Sequence, residues 1–444
     1  MKSTTKLGAR KWLSFIIAGL IGQISWAIEN MYLNVYAFHC TSDYIFIPIM
    51  TAASAAAATL TTLFIGALSD RIGNRKSFIS FGYIIWGISI IAFAFLDPTS
   101  SYSFVGNSAL LAGTLIVIMD CVMTFFGSTA NDAAFNAFVT DSTDTTNRGK
   151  VESFLSILPM VAMIAIVVLQ GLFVTTTEGM TKGWDIFFYV FGGVTSLAGL
   201  ALLFIIPKDT IQPNKTEPYM RNIVYGFRPS VIKKNQILYL VLLGFLCFNM
   251  AFQVFFPYFL VYIQNVLLIQ ETNFMITMGV VLVIACIFTI AIGLFMDKIG
   301  KNKLLLPAIG LTAIGAFLFI FVGKENVVFA IIAGVILMSG YMVSTAVFGA
   351  KVRDYTPPTQ AGLFQGVRMV FVVLIPMVTG PYIGQGLSNI NATTYINEYG
   401  NSVVEPNNFI FLGTFIVLLI AIIPVIFLIK KERQVYNERQ ITSE

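Results

Sequence analysis

Polar side chains recur at helical spacing inside stretches that are otherwise apolar, and these are the residues able to do chemistry. Between residues 108 and 138, Asp120, Thr124, Ser128 and Asn131 fall at i, i+4, i+8 and i+11, with Asp132 beside them. On a helix that spacing gathers the first four on one face. Between 12 and 38, Gln23, Asn30 and Asn34 make a second stripe, with Trp26, Glu29 and Tyr36 on a neighbouring face. Between 236 and 263, Asn249, Gln253 and Tyr258 make a third, beside Pro257, which should kink its helix. Amides and carboxylates mixed with aromatic rings suit a hydroxyl-rich solute, whose OH groups need directional hydrogen bonds and whose C–H faces stack on rings.

Nothing in this set has catalytic spacing. HExxH, GxSxG, P-loop and paired-histidine patterns are missing from the chain, and His39 is its single histidine. Neither an enzyme nor a cofactor is expected. Cys40, Cys121, Cys247 and Cys286 show no CxxC spacing, so no metal site or disulfide framework is expected either. For a single Asn or Gln, a hydrogen bond between helices is as good a use as cargo binding. A lone carboxylate in a bilayer needs a cation, a proton or a ligand, which favours a functional role for Asp132 and Glu29. The expected cargo contacts are Asp132, Asn131, Gln23, Asn30, Gln253, Asn249 and Tyr258, with Glu29 and Asp120 as proton carriers.

The composition dictates what kind of element holds these residues. With 57% hydrophobic and 11% charged residues, the chain cannot hide its apolar surface from water, and helices of about 20 apolar residues satisfy their own backbone in a bilayer. Twelve such stretches occur, near 12–38, 45–67, 77–96, 108–138, 150–175, 184–207, 236–263, 273–295, 303–322, 326–350, 361–387 and 408–430. They are numbered helix 1 to helix 12. Of the 27 Lys and Arg residues only Lys182 and Lys324 fall in loops on one side, while Arg368 lies within helix 11. That bias puts both termini in the cytoplasm and explains the net charge of +5 without a nucleic-acid partner.

Residues 208–235, with Pro213, Pro218 and Pro229, divide the helices six and six. The expected organisation is a bundle at 1–207, a cytoplasmic linker, and a bundle at 236–444. The halves repeat each other: GALSDRIGNRK at 66–76 matches GLFMDKIGKNK at 293–303, and Phe135, Ala137, Val139, Asp141 and Thr143 match Phe348, Ala350, Val352, Asp354 and Thr356. Parallel six-helix repeats are the architecture of alternating access. Gly66 and Gly73 allow close helix contact and a tight turn. Asp70 can face the positive start of helix 11 near Ala361 and Gly362, and by symmetry Asp297 the start of helix 5 near Gly149 and Lys150. Contacts among Gly66, Asp70, Arg71, Gly73, Lys76, Asp141, Arg148, Asp297, Lys298, Gly300 and Asp354 are expected to close the cytoplasmic side.

The 66–76 loop resembles the signature between helices 2 and 3 of the major facilitator superfamily. The resemblance covers nearly the whole chain and implies an all-α integral membrane protein of two pseudo-symmetric six-helix bundles, a secondary transporter in the cell membrane. More narrowly, TANDAAFNAFVTDSTDTTNRGKVES, RDYTPPTQAGLFQGVRM and MYLNVYAF are similar to segments of the glycoside-pentoside-hexuronide:cation symporters. That resemblance implies a sugar or glycoside as cargo, puts Asp132 at the family's helix 4 sugar-binding carboxylate, and puts Gln23 where the family has a helix 1 acid. Helix 2 departs from it: TAASAAAATL at 51–60 stands where the family carries paired acids for its coupling cation, so H+ is the expected coupling ion rather than Na+. Export of a drug or a lipid is the alternative within the same architecture. A monomer is expected.

Overall fold

The computed structural model describes residues 7–441 apart from 42–45, 99–101, 107, 178–179, 209–212, 214–223, 260–261, 270, 358–359, 391–392 and 397–401. Pro218 and half of the expected linker thus lie outside the described residues.

Among the described residues, twelve helices are long and apolar enough to span a membrane. They run Ala9–Thr41, Ile49–Ile72, Arg75–Phe95, Ala109–Ser142, Arg148–Ile166, Trp184–Ile205, Gln236–Tyr258, Ile276–Ile299, Lys301–Phe319, Val327–Tyr355, Ala361–Ser388 and Phe409–Val435. Helices 2, 4, 8, 10 and 12 continue past the apolar limit read from sequence, because a helix need not stop where its side chains turn polar. Helix 3 starts at an N-cap, Asn74, whose side chain accepts from the Ser77 N–H at 2.9 Å. Just before it, Gly73 at φ 71° ends helix 2, and Gly300 at φ 96° makes the same turn after helix 8. Two three-residue hairpins, Thr175–Thr177 with Met180–Lys182 and Thr394–Ile396 with Ser402–Val404, sit in the loops after helices 5 and 11.

Each half has its own apolar core. One is built on Trp86, Phe187 and Phe188 and the other on Phe245, Phe248 and Phe348. A small third cluster, Ile157 with Leu282, Ala285 and Met342, joins helix 5 to helices 8 and 10. Between halves, helix 2 packs on helix 11 and helix 5 on helix 8. Exchanging the halves turns one pair into the other, as rotation about the membrane normal requires.

Among the described residues four segments wind as π-helix: Ile28–Tyr32 in helix 1, Ser128–Phe135 in helix 4, Tyr262–Val266 after helix 7 and Val370–Leu374 in helix 11. Such turns change the rotational phase of the residues beyond them and gather at functional sites. Three of the four interrupt membrane helices, and two of those contain the polar residues singled out above.

Candidate functional site

At the end of the bundle that carries the termini, the halves are joined by buried charges. The Asp70 carboxylate accepts from the backbone N–H groups of Gly362 at 2.9 Å and Leu363 at 2.7 Å, at the start of helix 11. Gly66 lets the helices meet, since a Cβ there would strike the Gly362 carbonyl. Asp297 does the same at the start of helix 5, accepting from Gly149 at 2.9 Å and Lys150 at 3.1 Å. A carboxylate at a helix N-terminus satisfies orphan N–H groups and meets the positive end of the dipole.

A cation backs each carboxylate. Arg75, fully buried, bonds Asp70 and Ser69 and reaches Asp141 at 3.1 Å. In the other half Lys301 bridges Asp297 at 3.4 Å and Asp354 at 2.6 Å, and Asp354 also takes Arg148 at 3.1 Å. Arg71 is half-buried and Lys298 exposed, so the cations under the two carboxylates are Arg75 and Lys301, four or five residues on. From the repeated loops the sequence offered Arg71, Lys76 and Lys298 for the gate, not Arg75 or Lys301. Arg75 aligns with Asn302 and Lys301 with Asn74, a one-position exchange that conceals their equivalence.

Sequence reading also missed Arg353. From helix 10 it crosses to the other half, pairing with Glu152 and donating to Thr140 Oγ1 at 2.8 Å, the Asn136 carbonyl at 2.5 Å and Asn136 Oδ1 at 3.0 Å. The signal available was a pair of opposite charges at the ends of apolar helices, Glu152 and Arg353. One helical turn from Asn136 lies Asp132, half-buried, accepting from the Ser128 hydroxyl at 2.9 Å. Arg368 of helix 11 reaches Asn136 Oδ1 at 3.4 Å and acts electrostatically on Asp132.

Asn131 does not share the Asp120 face. The π winding turns it toward helix 3, where its amide donates to the Tyr83 hydroxyl at 2.7 Å. Asn249 donates to the Val372 carbonyl at 2.9 Å and Tyr258 to the Pro381 carbonyl at 2.7 Å, tying helix 7 to helix 11. These three side chains hold helices together. Gln23 and Gln253 are half-buried and carry no hydrogen bond among the described residues, while Asn30 is exposed with its amide on the Trp26 carbonyl at 2.8 Å. Trp26 sits 4.9 Å from the Trp86 ring. Glu29 and Asp120 are buried, and Glu29 accepts from Thr124 at 3.0 Å.

The first part of helix 11, Ala361–Met369, packs on helices 2 and 4 of the opposite bundle, whereas its second part, Ile375–Ser388, packs chiefly within its own. Helix 11 thus joins the halves at the termini end and returns to its own bundle beyond it. Gly66→Val should disrupt this joint: overpacking costs about 1–3 kcal/mol, so its melting point in detergent should fall well below that of Gly279→Val, where nothing lies within 4 Å. Equal melting points would contradict the helix 2–helix 11 contact.

A sequence model described as Major Facilitator Superfamily matches residues 12–381 and, again, 269–443. Among solved structures, a proton:xylose symporter, XylE, bound to 6-bromo-6-deoxy-D-glucose is similar, with TM-score 0.72 and 14% identity over 96% of each chain. A bacterial homologue of the iron transporter ferroportin in an outward-facing state has TM-score 0.71 at 10% identity, covering 94% of this chain and 99% of that one. No curated protein matches the sequence.

Proposed function

The chain belongs to the major facilitator superfamily, and on that premise we propose that it carries a small polar solute, a sugar or a glycoside, by alternating access. The observation that carries this reading is the placement of Asp132 and Arg368. They come from opposite halves, interact across the cleft and lie one turn above the layer where Arg353 closes on Asn136. A solute held there is gripped by both bundles at once, which is what allows its binding to drive their rocking.

Asp132 accepts solute hydroxyls, Gln23 and Gln253 supply amide groups that no described residue engages, and Trp26 offers a ring face. The neighbour that is a xylose symporter and the resemblance to glycoside-pentoside-hexuronide:cation symporters favour sugars. With the termini cytoplasmic, as the basic-residue bias indicates, the joined end is the inner gate and the conformation faces outward. The Asp70, Asp297, Arg148 and Arg353 contacts are that gate.

The test is a thermal-shift panel of sugars on the purified protein, followed by uptake into proteoliposomes. Asp132→Asn should weaken solute binding by about 10–100-fold, since a hydrogen bond to a charged group contributes roughly 1.5–3 kcal/mol. Unchanged affinity in that variant removes Asp132 from the site. A second reading, an amphipathic cargo, is favoured by an apolar pocket between helices 5, 7, 8 and 10 lined by Met160, Met163, Phe256, Met278 and Met338. Stabilisation by lipophilic amines and by no sugar would select it.

A further inference from the structure

Glu29 of helix 1 and Asp120 of helix 4 lie close together inside the N-terminal bundle, 8% and 1% exposed. Glu29 Oε1 takes the Thr124 hydroxyl hydrogen at 3.0 Å. Glu29 Oε2 and both Asp120 oxygens are buried without a hydrogen-bond partner among the described residues. The Ser54 hydroxyl of helix 2 stands beside both carboxylates, its own hydrogen directed to the Thr51 carbonyl at 3.3 Å. The charges acting on Glu29 are those of Asp120 and Asp132, both negative, while the Arg368 guanidinium acts on Asp132.

Two buried carboxylates with no counter-charge are too costly to persist as they stand. Protonation or a bound cation would relieve that cost. The carboxylates of Glu29 and Asp120 and the hydroxyls of Ser54 and Thr124 lie together there, and oxygen is the donor type that hard cations take.

We propose that Glu29 and Asp120, with Ser54 and Thr124, form a binding site for a small monovalent alkali cation of the Na+ type. The ion joins helices 1, 2 and 4, two of which carry Gln23 and Asp132. Its occupancy therefore orders the wall against which the solute binds. This departs from the expectation drawn from residues 51–60 of helix 2, which hold no acid: helix 1 supplies the carboxylate instead. The role as coupling ion rests on the transport reading above, whereas ion binding can be measured without any solute.

The experiment is thermal unfolding of the purified full chain in detergent, with Na+, Li+ or K+ exchanged for choline at constant ionic strength. Na+ or Li+ should raise the midpoint by several degrees, saturably, and choline should not. The rise should vanish in Asp120→Asn and Glu29→Gln. Both variants should fold, because removing one uncompensated buried charge raises the ion-free midpoint. No ion-specific rise in the unmodified protein, or an equal rise in both variants, overturns the site. So does a midpoint that responds to pH alone, which would make the pair a proton carrier only. Solute-induced shifts in the same samples are read separately, so failure of the ion site and failure of the sugar reading are distinguishable.

Discussion

Arg353→Met is expected to abolish transport and to lower the stability of the inward-closed form by about 3–5 kcal/mol, the effect of stranding one member of a buried pair. Arg353 is 4% exposed and engages Glu152, Asn136 and Thr140, all in the opposite half. When the inner side opens, these contacts part together, so the loss falls on the closed state alone. Arg353→Lys should rescue little, because an ammonium cannot reproduce the fork that meets a carboxylate and a carbonyl at once. Glu152→Gln should restore part of the loss, with a coupling above about 1 kcal/mol in the double-mutant cycle. Melting points and proteoliposome uptake of the four proteins read both quantities. Additive effects of the two substitutions would show that the pair does not hold the halves together.

Asp70→Asn acts on the same equilibrium by another route. Asp70 accepts two backbone N–H groups from helix 11, and an asparagine keeps one acceptor while turning an NH2 group toward a donor. Arg75 retains Asp141, so the N-terminal bundle itself should fold. The closed state loses roughly 2–4 kcal/mol, a charged hydrogen bond plus an unsatisfied N–H, and the closed-to-open ratio falls by about 30–1000-fold. A cysteine at Ser153, which is buried against Gly293 at the helix 5–helix 8 joint, should then react with a bulky maleimide added from the termini side. Wild-type uptake together with unchanged labelling would dismiss Asp70 as a gate residue. Asp297→Asn should show a smaller effect, since Asp297 meets helix 5 where Lys150 is exposed.

The twelve helices and their division into two like halves were legible in the sequence, because both are local properties. An apolar run of sufficient length must become a helix in a bilayer whatever surrounds it, and a repeated loop declares the repeat. The partners of Asp70 and Asp297 followed from the same symmetry, which relates helix 2 and helix 11 to helix 8 and helix 5. Beyond that, an ideal 3.6-residue period placed Asn131 with Asp120, whereas the π winding of Ser128–Phe135 carried it round to Tyr83. No pattern in the residues announces such a turn. Its phase shift is imposed by neighbouring helices that satisfy the displaced backbone.

The sequence by itself determined the spans, the repeat and which residues are polar in an apolar setting. Only the tertiary structure decided how each helix is rotated about its axis, and hence that Arg353 meets Glu152, that Arg75 rather than Arg71 supports Asp70, and that Glu29 and Asp120 lie together with no basic side chain paired to them among the described residues. Helix formation satisfies hydrogen bonds within one segment, but rotation is set by packing between segments far apart in the chain. The charges whose partners lie across that packing could be paired only when both sides were in view.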